Sequence, residues 1–416
     1  MKNNLRLKIL LMSLLSVLLL LFIIGPEING VIIAANNNVD SRESDVVDSE
    51  KKTTKTAIDA ERSPFNVTIE INEPNVAFQL KYDKYPLSYT YLLINNDTDI
   101  RKGPSSKEPV LRTVSKNEKL NYIETIESEE KWYHVIWQEG EQQLFGFVNG
   151  DTAAIRVFQF DKMHEAILKA EKSSNEGPLT YINNYHNVKG YAPRYHEGEL
   201  DKKGNRRSQS APGYFDISNL SEFDYIGDGT LVRVLSTGPQ YTGVSLVKDE
   251  NVYLVPNKYV ADQAPITTIN KAIVIDRINQ NEAVFEKIGQ EWKVISYTLA
   301  TTGKVGKYHQ LTPLGYFYAI EKRERFYYYE DGTARIQGYA PYVIRFAGGA
   351  YVHGVPIDYK YDAEGNRIDP GKVEYSRSIG TVPLSHKCVR NYTSHAKFLY
   401  DLYAPGEVIV IVIEGD

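Results

Sequence analysis

Short runs of β-branched and aromatic residues, each closed by turn residues, recur along this chain and constrain it to a mainly β fold. Val67-Thr68-Ile69-Glu70-Ile71, Trp132-Tyr133-His134-Val135-Ile136-Trp137 and Leu231-Val232-Arg233-Val234-Leu235 have strand spacing. Ala272-Ile273-Val274-Ile275-Asp276 and Val408-Ile409-Val410-Ile411-Val412-Ile413 are nearly continuous apolar runs, the pattern of buried strands. Only two stretches read as helices. Phe158, Phe160, Met163, Ile167 and Leu168 recur at helical spacing within 156–172, and Ala396, Leu399 and Tyr400 do so within 394–403. The 416 residues exceed one ordinary core, so several domains are expected. Tyr outnumbers Phe by 31 to 14, which fits strand packing first and stacking on sugars second.

The N-terminus has the layout of a membrane-targeting segment. Lys2, Arg6 and Lys8 flank an apolar run over 9–24, broken only by Ser13 and Ser16. Residues 1–35 are expected to be a signal peptide or an uncleaved anchor, which places the rest outside the cytoplasmic membrane. Residues 36–63 are polar and charged and read as a flexible linker. A net charge of −5, with no basic patch interleaved with aromatics, argues against a nucleic-acid partner.

The chain has one cysteine, Cys388, so no intramolecular disulfide can form. In an exported chain such a residue is an intermolecular link or a free reactive thiol. It lies in Ser385-His386-Lys387-Cys388-Val389-Arg390-Asn391, two residues after one His. A second His stands upstream in Tyr351-Val352-His353-Gly354-Val355. Thiol chemistry needs a thiolate, a group to take its proton and donors for an oxyanion, and two His with backbone N–H groups can supply these. There is no His-Glu-x-x-His and no paired Cys motif, so neither a metal nor a cofactor is expected. His309 reads as a surface residue, and His395, near a helix start, as structural.

The stretch 385–391 resembles the signature of the L,D-transpeptidases with a YkuD-type catalytic domain. Further motifs match in order: Thr298-Leu299-Ala300-Thr301-Thr302-Gly303, Thr312-Pro313-Leu314-Gly315-Tyr316-Phe317, His353-Gly354, Ile379-Gly380 and the final strand led by Gly406. The resemblance covers about 270–414. Upstream, Ile100-Arg101-Lys102-Gly103-Pro104-Ser105, Trp132-Tyr133 and Gly146-Phe147-Val148 resemble a bacterial SH3-like module, and 230–260 resembles a second one more loosely. The expected organisation is an SH3-like β module at 64–160, a helix and loop connector at 161–215, a second SH3-like module at 216–264 and a catalytic β-sandwich or barrel-like domain at 268–416.

The resemblance implies that Cys388 attacks the carbonyl of an L-centre to D-Ala bond in a peptidoglycan stem peptide. His353 is then the base, Gly354 helps to set its ring, and His386 orients or stabilises the site. Backbone N–H groups of Lys387 and Cys388 become oxyanion donors. Arg390 suits a substrate carboxylate, Asn391 suits backbone or amide groups, and Ser385 suits a hydrogen bond to His386. The modules imply contact with wall glycan or a spacer role. Two departures stand out. Lys387 occupies a position where the family has Gly, and His353 to Ser385 is longer than the family norm, with a loop expected at 357–376. The alternatives are an L,D-carboxypeptidase and a non-catalytic wall-binding protein. A sortase would place Thr where Lys387 stands, and a papain-like peptidase would place Cys before His.

Overall fold

In a computed structural model, residues 74–262, Ile266 and 268–416 are described. The expected targeting segment at 1–35, the expected linker at 36–63 and the run Val67-Thr68-Ile69-Glu70-Ile71 lie outside the described residues. Among the described residues no helix is long and apolar enough to cross a membrane.

The C-terminal region is built on two sheets. The first runs in the order Ala77–Phe78, Glu291–Leu299, Asn281–Ile288, Lys271–Asp276, Val408–Ile413 and Gly315–Tyr318. The second runs Glu321–Tyr329, Ile336–Ala347, Ala350–His353 and Val389–Arg390, with Ile357–Asp358 added beside Ile336–Ala347. Side chains alternate along each strand, so the two faces of the first sheet meet different partners. Ile273, Ile275, Val408, Val410 and Val412 pack against Ile344, Phe346, Val352, Val389 and Leu399 between the sheets. Ala272, Val274, Ile409 and Ile411 face the other way, towards Phe160, Met163, Ile167 and Ala170 of the helix Phe160–Glu176. Burial on both faces is why these strands are apolar at every position. The second helix, Thr393–Leu402, presents Ala396 and Leu399 inward.

The N-terminal described segment is part of this region. Ala77–Phe78 adds a parallel edge strand to Glu291–Leu299, and Tyr85 stacks on Tyr392 with centroids 4.0 Å apart. A strand only two residues long carries too little periodicity to be recognised in a sequence.

Two further sheets lie upstream of 270. The first has seven strands between Thr90 and Val157, including the expected Lys131–Glu139 and Gln142–Asn149. Tyr91 of this sheet donates to the Asn279 carbonyl at 3.0 Å. The second has six strands between Leu179 and Pro256. Two of them, Leu179–Tyr181 and Ser210–Tyr214, fall in the stretch expected to be connector. Pro212 and Gly213 in the latter conceal its strand character.

A tight turn joins the second upstream sheet to the C-terminal region. Gly229 has φ +83°, and a Cβ there would lie 1.8 Å from the Phe346 carbonyl oxygen, so only glycine fits. The Gly229 carbonyl accepts from Tyr318 N at 3.0 Å. Asp228, 2 % exposed, accepts from Arg345 Nη1 at 2.6 Å, from Gly348 N at 3.0 Å and from Asn184 N at 2.7 Å. A buried carboxylate is tolerated when it is paired and hydrogen-bonded in this way. Asp228→Ala leaves the Arg345 charge buried with only its Glu321 contact. We expect a loss of roughly 3–5 kcal/mol in denaturant unfolding; a loss below about 1 kcal/mol would contradict this joint.

Candidate active site

The sole cysteine lies just outside a short parallel pairing. Val352 pairs with Val389 and His353 with Arg390. Extending this register back one residue sets Cys388 opposite Tyr351. Side chains alternate across a sheet, so Cys388, Arg390, Tyr351 and His353 share one face. The Cys388 Sγ points to the Gly349 carbonyl at 3.7 Å and packs beside Phe326 and Tyr351.

The matched motifs converge on the segment that carries the thiol. Thr301 exchanges two backbone hydrogen bonds with Arg390, at 3.0 and 2.9 Å. Ser385 N donates to the Thr302 carbonyl at 3.0 Å. Thr312 Oγ1 accepts from Gly303 N at 2.9 Å and donates to the Lys387 carbonyl at 2.8 Å. Gly303 lacks a side chain because a Cβ would lie 2.8 Å from Lys387 Cα and 2.2 Å from the Gln310 carbonyl oxygen. Gly380, at φ +73°, passes against Leu299 and donates to Thr301 Oγ1 at 3.0 Å. These residues hold the 385–388 turn against the preceding loops.

His353 is 4 % exposed. Its Nδ1 is 2.6 Å from the Gly354 carbonyl, which can only accept, so Nδ1 carries the proton and Nε2 keeps its lone pair. Gly354 is confined as well: a Cβ would lie 2.9 Å from Thr393 Oγ1 and 3.0 Å from Pro341 Cγ. Burial pulls the imidazole pKa down to about 4, partly opposed by the Gly354 hydrogen bond, with Arg390 lowering it further. Its enclosed surroundings push the Cys388 thiol up, while the Tyr351 N–H, Arg390 and Lys387 favour the thiolate. At neutral pH both groups rest uncharged, as imidazole and thiol.

Arg390 is half-buried, and burial lowers its pKa. Its Nε has no partner, although the Tyr328 hydroxyl and Asp358 lie near enough to act on it electrostatically. Asn391 is fully buried, and neither its Oδ1 nor its Nδ2 has a partner. Its backbone N–H donates to the His353 carbonyl at 2.9 Å.

One detail of this segment differs from the sequence reading, and its neighbours fill in the rest. Ser385 Oγ donates to the Cys388 carbonyl at 2.6 Å rather than to His386, because the turn folds the hydroxyl back onto its own segment. Lys387 does not have a positive φ, so the family's Gly is not required there by backbone conformation. His386 is exposed, with Nε2 2.8 Å from Asp331 Oδ1 and its ring stacked on His309 at 3.9 Å. His395, read from the sequence as structural, is buried with Nε2 2.9 Å from Ser296 Oγ. The long loop is strapped down. Its 362–366 turn closes a two-stranded hairpin, Asp369 meets Arg325 and Tyr339 at 3.0 Å each, and Glu374 receives Ser394 N at 2.9 Å.

Sequence reasoning missed residues that reach the site from far along the chain. Tyr185 Oη meets Tyr351 Oη at 2.5 Å, and Arg345 lies over the Tyr185 ring at 4.2 Å. Tyr328 donates to Asp358 Oδ1 at 2.8 Å beside Arg390. No local pattern links 185 to 351 or 328 to 390, so only the fold reveals them.

A family model for the L,D-transpeptidase catalytic domain, YkuD, matches residues 270–412. Those residues span both sheets and the thiol segment, and this region of the chain is a YkuD L,D-transpeptidase catalytic domain. No curated protein matches the chain. Among solved structures, a fused Zn-dependent amidase/peptidase/peptidoglycan-binding domain-containing protein from Clostridium acetobutylicum is similar at 21% identity and TM-score 0.24, over 35% of this chain and 52% of that one. An L,D-transpeptidase from Mycobacterium smegmatis is similar at 19% identity and TM-score 0.28, over 44% of this chain and 82% of that one. An L,D-transpeptidase from Stackebrandtia nassauensis is similar at 20% identity and TM-score 0.24, over 37% and 58%. The chain thus spans about half the length of the first of these structures.

The neutral state of His353 has a measurable consequence. Above pH 6.5 the ring is neutral both folded and unfolded. As pH falls from about 6.5 to about 4, the unfolded chain binds a proton that the folded chain resists, so stability falls, by about 3 kcal/mol at full effect. We expect urea unfolding to lose this increment in wild type and to show a shallower acid slope in His353→Gln. Equal slopes would contradict the assignment.

Proposed function

We propose that this protein is an extracytoplasmic peptidoglycan L,D-transpeptidase. The observation that carries the reading is that the sole thiol, Cys388, lies one strand across from a neutral His353 on the same sheet face, the Nδ1 proton committed to Gly354. The matched domain at 270–412 fits it.

Cys388 Sγ attacks the carbonyl carbon of an L-centre to D-Ala bond in a stem peptide. The thiol proton passes to His353 Nε2 as the C–S bond forms. The C–N bond then breaks, D-Ala leaves with that proton, and a thioester remains. The amine of a second stem attacks the thioester and loses its proton through His353, and Cys388 is released as the crosslink forms. Among the described residues, no backbone acceptor engages the N–H groups of Lys387 and Cys388, which supports them as oxyanion donors. Arg390 receives a substrate carboxylate, since its Nε is unpartnered and its fork suits two oxygens. Asn391 offers its unpartnered amide to the substrate backbone. Ser385 fixes the nucleophile's carbonyl. His386 supports the entrance, given its exposure and its Asp331 contact. Lys387 adds positive charge beside the thiol.

Residues 1–35 deliver the chain to the membrane as a signal peptide or anchor, and 36–63 act as the tether. The SH3-like modules, assigned at 64–160 and 216–264, space the enzyme or hold wall glycan, with 161–215 between them and 268–416 as the catalytic domain. Hydrolysis of the same thioester would make the protein an L,D-carboxypeptidase.

Two measurements test this. Mass spectrometry of stem peptides after incubation should show D-Ala release and a crosslinked or exchanged product with wild type and neither with Cys388→Ala. Release without transfer supports the carboxypeptidase, and equal inertness across several stem types supports the wall-binding alternative. Arg390→Ala should cut kcat/KM for the donor stem by about 10–100-fold, the worth of a charged hydrogen-bonded contact; an unchanged value would remove Arg390 from substrate binding.

A further inference from the structure

Three ligand-type side chains from three separate segments converge beside the nucleophile turn. His309 comes from the loop after Glu291–Leu299, Asp331 from the turn between Glu321–Tyr329 and Ile336–Ala347, and His386 from the segment before Cys388. One ligand atom from each lies within 4.8 Å of the other two. His386 Nε2 is 2.8 Å from Asp331 Oδ1, and the two imidazoles stack with an interplanar angle of 15°.

The backbone keeps these residues together. Gln310 N donates to the His386 carbonyl at 2.6 Å, which fixes the two His segments side by side. Lys304 N donates to the Ser385 carbonyl at 3.0 Å at the other end of the same loop. The Asp331 turn is closed by Thr333 N donating to the Glu330 carbonyl at 3.0 Å. The Tyr308 hydroxyl lies against Gly332, where a Cβ would come within 2.8 Å of it. All three donors are thus presented by ordered segments, and none is used by the thiol chemistry as its base.

Two imidazole nitrogens and a carboxylate oxygen form a donor set that suits zinc and its neighbours, whereas magnesium and calcium take oxygen ligands. Tetrahedral zinc holds nitrogen ligands at about 2.0–2.1 Å, which sets donor atoms about 3.3 Å apart. Closing the cluster to that spacing requires the Asp331 and His386 side chains to rotate, and both are exposed. Three protein ligands leave the fourth position open.

We propose that His309, Asp331 and His386 bind one late first-row divalent cation, zinc in the first instance, with its fourth position open to solvent. The ion ties the 330–333 turn to the segment that presents Cys388 and takes up the His386 ring. This cation site stands independently of the acyl-transfer reading, because the thiol is not one of its ligands and the test reads metal binding, not activity.

The test is calorimetric titration of zinc into the full untagged chain in mild detergent, after removal of metal by chelator. One zinc per chain is expected, with Kd below about 10 μM. Asp331→Asn and His309→Gln should each weaken binding at least about tenfold, and Cys388→Ala should bind like wild type. Magnesium should give no saturable heat. As a second readout, zinc should raise the melting temperature of wild type and Cys388→Ala but not of the other two variants. Absence of saturable zinc binding would overturn the site. Binding that survives Asp331→Asn and His309→Gln, or that is lost in Cys388→Ala, would put the ion elsewhere and overturn it as well.

Discussion

The buried carboxylate of Asp228 is the contact on which the site depends. It accepts from Arg345 and from the turn N–H of Gly348 in the C-terminal region, and from the loop N–H of Asn184 that follows Leu179–Tyr181. Arg345 in turn lies over Tyr185, whose hydroxyl meets that of Tyr351, the residue across from Cys388. A charge pair removed from water persists only with such complete bonding, because either partner alone would be an uncompensated buried ion. The second upstream sheet is therefore fused to the strand that faces the thiol. Any spacer or glycan role of that sheet is added to a structural one.

A second constraint acts from the other side. The loops around Thr301, Gly303 and Thr312 pin the 385–388 turn through backbone bonds and through the absence of a Cβ at Gly303. The thiol is thus held between two rigid neighbours, and its surroundings favour neutral partners. Burial depresses His353 and raises Cys388. Arg390 and Lys387 supply the positive charge that a thiolate needs once it forms.

Much of this was legible in the sequence. The doubly buried strands Lys271–Asp276 and Val408–Ile413 announced themselves by unbroken apolar runs, and both helices by their spacing. The thiol segment was legible because there is one Cys and because its flanking motifs recur in order. What stayed hidden was contributed across distance. Ala77–Phe78 is too short to show a period, and Ser210–Tyr214 contains Pro and Gly. Tyr185, Asp228 and Asp331 reach the site only because upstream sheets and a hairpin turn fold against it. Ser385 took a different partner from the one expected, since a four-residue turn brings its hydroxyl to the Cys388 carbonyl. Lys387 stands where the resemblance has Gly, and its backbone lies outside the left-handed region.

The central claim is that Cys388 forms an acyl intermediate. Intact-protein mass spectrometry of the full chain, quenched in acid after mixing with a tetrapeptide stem and no acceptor amine, tests it directly. The account predicts added mass equal to the stem less its terminal D-Ala, mapped by peptide digestion to Cys388. Release of D-Ala with no such adduct under single-turnover conditions, or an adduct mapped to another side chain, would contradict it.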